Sequence, residues 1–386
     1  MPATRALTRE RALLAGLCRD RRDAPLLEEH LQELGLLAET AGAEVLGRVV
    51  QERGPAHPAT LLRRGKVEEL ATLARERRAG LAIFDDDLSP AQVRNLEEAL
   101  SLKVLDRSAL ILDIFARRAR SREARTQVEL AQLRYLLPRL TRQWGHLSRQ
   151  AGGIGQRGVG ETQLEIDRRL VRRRIARLAE DLARIETERG EQRKRRRAEP
   201  RVALVGYTNA GKSTILNLMT GAGTFVEDRL FATLDPLVRR CDRGGRPPFL
   251  LIDTVGFIRK LPHHLVASFR STLQEAADAD LLLEVVDASS ETLEDHLKTT
   301  REVLADLGFA DRPVLVVFNK IDRVAAVRLD RLRAAHPDAL LVSALDPAQA
   351  DRLEQRLRAA LARARRESRP EPSAQAGPRQ AAGGAS

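Results

Sequence analysis

The sequence predicts an α/β protein in three parts: a small N-terminal α/β domain, a helical hairpin with a glycine-rich tip, and a larger second α/β domain. Three observations predict it. Short apolar runs alternate with helix-period segments through residues 1–115. Five glycines fall within residues 152–160, between two seams of leucines at helical spacing. A strand-like run at Val202–Val205 opens directly onto a glycine-bounded loop and then an apolar-periodic helix. The expected boundaries are 1–115 for the N-terminal α/β subdomain, 116–199 for the hairpin and 200–366 for the second domain. Residues 367–386, rich in Pro, Gly, Ala and Ser, are expected to form a disordered tail.

Composition narrows the class. The chain has 386 residues, 43% hydrophobic and 31% charged, enough for several cores. No apolar run approaches the ~18 residues of a membrane span. Cys18 and Cys241 cannot build a disulfide framework, which points to the reducing cytoplasm. The net charge of +12 is localised: residues 116–200 hold 23 Lys/Arg against 11 Asp/Glu, so the remainder is neutral. Only Tyr135 and Trp144 are aromatic in that stretch. Base stacking on single strands is therefore disfavoured, while phosphate contact with structured nucleic acid stays open.

In the first part, Ala12–Leu17 and Ala43–Val50 read as strands around a helix over Leu26–Ala41, whose leucines recur at helical spacing. A helix over Arg64–Arg78 precedes a buried strand at Leu81–Phe84. Ser89-Pro90 is an N-cap followed by proline at the first helical position, opening a helix to Leu100. Lys103–Leu105 is a last strand, and Ser108 is expected to cap the next helix. Asp85, Asp86 and Asp87 read as loop acidity beside a helix N-terminus. With no GxGxxG and no catalytic cluster, this part reads as a scaffold or docking domain.

The hairpin follows from two matched seams. Leu133, Leu137, Leu140, Trp144 and Leu147 form the first; Leu164, Val171, Ile175, Leu178, Leu182 and Ile185 continue it beyond the glycines. Pro138 should kink or interrupt the first arm. The second arm, taken as 25–29 residues, would be on the order of 40 Å long. A tip longer than a turn needs, on a basic arm, suits reaching into a structured RNA cavity.

The second domain carries the chemistry. Gly206-Tyr207-Thr208-Asn209-Ala210-Gly211-Lys212-Ser213 is G-x-x-x-x-G-K-S between a strand and a helix, with Thr214 opening that helix. Such a loop wraps phosphate with backbone amides at a helix N-terminus. Lys212 would reach the β- and γ-phosphates and Ser213 would coordinate Mg²⁺. Phe231-Ala232-Thr233-Leu234 is a polar, turn-rich stretch in which the Thr233 hydroxyl can ligate Mg²⁺ and sense the γ-phosphate, as a switch loop must. A strand at Leu250–Ile252 ends in Asp253-Thr254-Val255-Gly256. There Asp253 would hold the magnesium shell and the Gly256 amide would bond the γ-phosphate. Lys212, Thr233 and Gly256 are thus the expected catalytic contacts. Val314–Phe318 delivers Asn319-Lys320-Ile321-Asp322, whose final carboxylate accepts guanine N1–H and the exocyclic amine. Ser343-Ala344-Leu345 after a strand offers amides to guanine O6. Five fragments in this order on strand ends specify a Ras-like P-loop G domain hydrolysing GTP to GDP. After Gly256, where Ras-like enzymes use a water-orienting glutamine, stands Phe257. Slow intrinsic turnover, stimulated by a partner, is expected. Asn209 resembles the asparagine of potassium-stimulated GTPases, making K⁺ a candidate cofactor beside GTP/GDP and Mg²⁺.

Taken together, the residues resemble the HflX family of ribosome-associated GTPases. The likeness rests on Gly206–Ser213, on Asp253-Thr-Val-Gly-Phe-Ile with Leu261-Pro-His-His, on Gly152-Gly-Ile-Gly-Gln-Arg-Gly-Val-Gly-Glu-Thr-Gln-Leu-Glu, and on Phe84-Asp-Asp-Asp-Leu-Ser-Pro-Ala-Gln. It spans roughly residues 10–360. The resemblance implies a protein that binds the large ribosomal subunit and splits stalled or vacant ribosomes; a monomer with no membrane span is expected. Its glycine loop would lie near the peptidyl transferase centre, with Arg149, Gly152, Gly153, Gly155, Arg157, Gly158 and Gly160 contacting rRNA. A large-subunit assembly factor or placeholder without splitting activity is the alternative. Some family members carry an extra C-terminal domain; contacts made by it should be absent or altered here.

Overall fold

The computed structural model describes residues 9–20, 24–140, 159–195, 199–221, 223, 230–232, 234–242, 245–261 and 278–367. The N-terminal part runs β1 (Glu10–Leu17), α1 (Ala24–Thr40), β2 (Ala43–Gln51), α2 (Arg64–Arg77), β3 (Leu81–Phe84), α3 (Pro90–Leu100), β4 (Lys103–Asp106) and α4 (Arg107–Arg118). Its four strands pair in parallel in the order β2-β1-β3-β4. Both faces are covered, as the near-continuous burial of β1 and β3 requires. Leu27, Leu31, Leu34 and Leu37 of α1 lie on one buried face, matching their spacing. Ser89 forms a full capping box with Gln92. The cap of α4 differs from the expected one. Asp106 accepts the Ala109 amide at 2.8 Å, while Ser108 sits inside the helix and donates to Asp87.

The hairpin arms are α5 (Arg122–Leu136) and α6 (Val159–Arg195). Leu137 caps α5, so the helix is interrupted at Pro138, as expected of that residue. The second arm exceeds its expected length: 37 residues, about 55 Å at 1.5 Å each. It begins at Val159, so Gly160, placed in the glycine tip by sequence, is helical. On α6 the expected seam faces inward, with Leu178 buried and Val171, Ile175, Leu182 and Ile185 half-buried, while Trp144 and Leu147 of the first arm's seam lie outside the described residues. Arg174 of α6 clasps Glu129 of α5 through two hydrogen bonds of 2.7 and 2.9 Å. The rest of the tip, with Arg149, Gly152, Gly153, Gly155, Arg157 and Gly158, lies outside the described residues.

The G domain runs β5 (Arg201–Val205), α7 (Lys212–Thr220), β6 (Leu237–Cys241), β7 (Phe249–Asp253), β8 (Leu281–Asp287), α8 (Leu293–Asp306), β9 (Val314–Asn319), α9 (Ala326–Ala335), β10 (Leu340–Leu341) and α10 (Gln349–Glu367). The sheet order is β10-β9-β8-β5-β7-β6, parallel except for β6. Neither β6 nor β8 is among the expected strands, although Leu-Leu-Leu-Glu-Val-Val is a buried-strand run broken only by Glu284. That carboxyl is 1% exposed, and burial, only partly offset by Arg301, pushes it up to about 7. Among the described residues no helix is long and apolar enough to cross a membrane.

The first and third parts share a core. One buried cluster runs from Leu14, Leu34 and Phe115 into Tyr207, Phe231, Val255, Phe257 and Ile258. The loops expected to hold nucleotide are thus packed against the N-terminal domain.

Candidate functional site: a guanine nucleotide cradle built on strand ends

The phosphate loop bridges β5 and α7. Gly211 has φ +94°, and a Cβ there would stand 2.2 Å from Asn319 Nδ2, so only glycine fits. Lys212, buried, donates to the carbonyls of Gly206 at 3.1 Å and Tyr207 at 2.8 Å. An ammonium has three donors, and these two bonds aim the third into the cradle. Burial pulls Lys212 down to about 8 against the pull of Asp253, which still leaves the ammonium protonated near neutrality.

Ser213 Oγ donates to Asp253 Oδ2 at 2.6 Å, joining the start of α7 to the end of β7. These are the hard oxygen donors that Mg²⁺ prefers. Mg²⁺ typically takes one or two protein ligands plus water and phosphate, so the pair fits that ion. Thr233, the third expected ligand, lies outside the described residues. Thr254 is fully buried and donates to the Leu204 carbonyl at 2.6 Å, so its side chain holds β7 to β5.

The guanine side is assembled by Asn319. Its Nδ2 donates to the Ala210 carbonyl and its Oδ1 accepts the Ala344 amide, both at 2.9 Å. It therefore staples the phosphate loop to the 343–345 loop. Asp322, exposed in a 3-10 turn over Ile321–Arg323, accepts Ser343 Oγ at 2.5 Å. Lys320 has φ 61° and pairs with Asp287 at 2.8 Å. Leu345 stands 70% exposed at the mouth, where an apolar side chain can cover a base.

Several expected contacts turn out to face elsewhere. The Tyr207 hydroxyl bonds Glu33 of α1, and its ring stacks on His296 at 3.8 Å. Only its backbone serves the cradle. The Thr208 amide donates to the Phe257 carbonyl at 2.7 Å, and its hydroxyl accepts the Phe231 amide at 2.9 Å. Phe231, at φ 58°, is buried edge-on against Phe115 of α4, with centroids 4.6 Å apart. Leu234 is buried too, whereas Ala232 is exposed. Asn209, at φ 59°, lines a cavity of about 560 Å³ with Leu230 and the α1–β2 corner. Phe257 is 1% exposed, so it is a core residue and cannot orient water. A cavity of about 720 Å³ lies away from this chemistry, between β1, β4, α4 and α5. Four of its charged side chains pair as Lys103–Glu10 and Arg117–Asp113.

Sequence reasoning missed the residues that join this cradle to the N-terminal domain. Asp85 is fully buried rather than loop acidity: Arg107 Nη1 at 2.8 Å and Lys260 Nζ at 2.6 Å converge on it. Burial opposes its charge, but His30 and Lys260 hold the carboxyl below its ordinary range. Arg107 also pairs with Glu33; burial pulls it down to about 10, still protonated near neutrality. Asp235 accepts the amides of Arg120 and Ser121 at 3.1 Å each, at the root of α5.

Known proteins agree with this architecture. Residues 28–116 match the family described as GTP-binding GTPase N-terminal, 118–196 its Middle Region, and 201–320 the family described as 50S ribosome-binding GTPase. GTPase HflX of Caldanaerobacter subterraneus is 50% identical over 324 residues, covering 83% of this chain and 75% of its own. GTPase HflX of Escherichia coli K12 is 48% identical over 320 residues, covering 82% and 75%. The crystal structure of SsGBP in complex with GDP aligns with 92% of this chain and 99% of that one, at 26% identity and a TM-score of 0.51. With identities near one half across all three parts, the chain belongs to the HflX family of GTPases.

Proposed function

We propose that this protein hydrolyses GTP and uses the cycle, in the cytoplasm and as a monomer, to dissociate stalled or vacant ribosomes by binding the large subunit. The observation that carries this reading is one continuous body. A guanine nucleotide cradle is packed against a domain from which a 37-residue basic helix extends. In this reading the glycine-rich segment ahead of that helix probes rRNA near the peptidyl transferase centre. Arg149, Arg157 and the glycines Gly152, Gly153, Gly155, Gly158 and Gly160 make the contacts. Family membership and the 50S ribosome-binding description of residues 201–320 support the partner.

Asp322 selects guanine over adenine, the amides of 206–213 and Lys212 hold the phosphates, and the Gly256 amide meets the γ-phosphate. Mg²⁺ held by Ser213, Thr233 and Asp253 would neutralise charge on the β- and γ-oxygens. K⁺ beside Asn209 would add a second cation. Because Phe257 is buried, no side chain at that position aligns water, and unaided turnover is slow. Ribosome binding supplies the acceleration.

Light scattering of 70S ribosomes mixed with the protein tests the reading. Scattering should fall with GTP and K⁺, fall less with Na⁺, and hold steady with GDP. Stable 50S binding with intact 70S would replace it by an assembly or placeholder role.

A further inference from the structure

Sheets of this kind bind ligands in the crevice outside the carboxyl ends of their strands, where the strand order reverses. In the N-terminal sheet that point lies between β1 and β3, directly before Asp85, whose amide bonds the Ala15 carbonyl at 3.0 Å. The crevice is filled from within the chain. Lys260, 175 residues away, donates to Asp85 Oδ2 at 2.6 Å, to the Asp85 carbonyl at 3.2 Å and to Asp86 Oδ1 at 3.1 Å. Asp85 is itself pinned by Arg107 and faces His30 Nδ1 at 3.6 Å, so the seat is rigid.

Lys260 lies four residues beyond Gly256, on the segment that must meet the γ-phosphate. Its φ is 51°, a left-handed backbone unfavourable for a lysine that persists only where surroundings enforce it. The intervening residues are clamped as well. Phe257 N donates to the Gly206 carbonyl at 3.0 Å, and the Arg259 amide donates to Tyr207 Oη at 3.0 Å. This places Gly256 hard against the phosphate loop. A Cβ on it would stand 2.9 Å from Lys212 Nζ and 2.6 Å from Thr208 Cα. An oxygen accepting a charge-assisted bond from that ammonium needs the same space, at about 2.7–2.9 Å. A β-phosphate oxygen, which GDP and GTP share, would reach Lys212 from the phosphate-loop side; only a γ-phosphate oxygen would have to come between Lys212 and Gly256.

We propose that the Lys260 seat on Asp85 and Asp86 is a specificity determinant that sets the preference of this site for GDP over GTP. The seat holds residues 256–260 where a γ-phosphate must displace them. GTP binding then works against the seat, and by linkage anything that loosens the N-terminal domain from Lys260 raises GTP affinity by the same factor. A partner gripping the hairpin is such an agent, which would couple ribosome engagement to the GTP-bound form. The inference rests on the guanine-nucleotide reading above, and its test needs no ribosome.

Equilibrium affinities for GDP and GMPPNP should be measured on the full chain, wild type against Lys260→Met, Lys260→Arg and Asp86→Asn. Lys260 is at the surface and its removal leaves the Arg107–Asp85 pair intact. Lys260→Met should tighten GMPPNP about tenfold while GDP shifts less than twofold. Lys260→Arg should stay near wild type, and Asp86→Asn should move in the direction of Lys260→Met by less. Equal changes for both nucleotides, no change, or Lys260→Arg behaving like Lys260→Met would overturn the proposal. A chain that binds neither nucleotide would overturn the guanine-nucleotide reading and this inference with it.

Discussion

The two ends of the nucleotide cradle are held in different ways. At the guanine end every fastening stays inside the G domain: Asn319 to Ala210 and Ala344, Asp322 to Ser343, Lys320 to Asp287. At the γ-phosphate end the fastenings leave it. Phe231 packs on Phe115, Tyr207 bonds Glu33, Asp235 bonds the amides of Arg120 and Ser121, and Lys260 sits on Asp85. The proposed base-recognition end is therefore fastened locally. In the proposed reading, the loops that would sense a third phosphate are held by both domains, and their positions depend on how those domains sit together. Such division is what a device needs if it must hold guanine nucleotide constantly yet report its phosphate count elsewhere.

Mutations can break this contrast. The largest effect is expected at the guanine end. Asp322→Ala removes a charged acceptor for two base donors, each worth about 1.5–3 kcal/mol, so GDP and GMPPNP should both weaken at least a hundredfold. Isothermal titration with both nucleotides checks it; unequal losses would mean that the two ends are not independent.

A control for the sheet between them comes from Glu284. Its carboxyl titrates near 7 in the fold against an ordinary value of 4.5. Stability is thus intact below about pH 4.5 and falls as pH climbs to about 7, by on the order of 2–3 kcal/mol. Glu284→Gln should abolish that fall. Urea unfolding at pH 5 and pH 8 should show the variant's advantage growing by this amount, with the GDP-to-GMPPNP affinity ratio unchanged.

The smallest effect belongs to the root of the hairpin. Asp235→Ala leaves the Arg120 and Ser121 amides without their carboxylate, at a cost of about 1–2 kcal/mol. Amide exchange should rise over residues 120–130 while GDP affinity stays within twofold. Unchanged exchange would show that α5 does not feel the switch segment.

Much of this was legible from residue order. A phosphate loop needs a strand, a glycine bend and a lysine within a dozen residues, all local constraints, and Gly206–Ser213 met them. Asp253 and Asn319-Lys-Ile-Asp end strands that their own β-branched and leucine runs identify. The helical seam from Val171 to Ile185 and the stop at Pro138 follow from periodicity and from proline's missing donor. Less legible were β6, a short edge strand with two arginines, and β8, whose run is broken by the buried Glu284. The cap of α4 went to Asp106 because that side chain also collects Leu88 N, Tyr135 Oη and Arg139, contacts arriving from up to 33 residues away.

Local order was enough to propose the chemistry: the expected base, phosphate and ion contacts and the missing glutamine at Phe257 all follow from short motifs with fixed spacing. It could not disclose that Asp85 is an internal ligand site for Lys260, that Tyr207 turns its ring away from the nucleotide, or that Phe231 is a wedge between domains. Each depends on groups more than 100 residues apart meeting in the packed chain. Burial and pairing are properties of the packed chain, and a carboxylate reads the same in sequence whether it faces water or a lysine. The cradle is written in its motifs, while its connection to the rest of the molecule exists only once the domains close on each other.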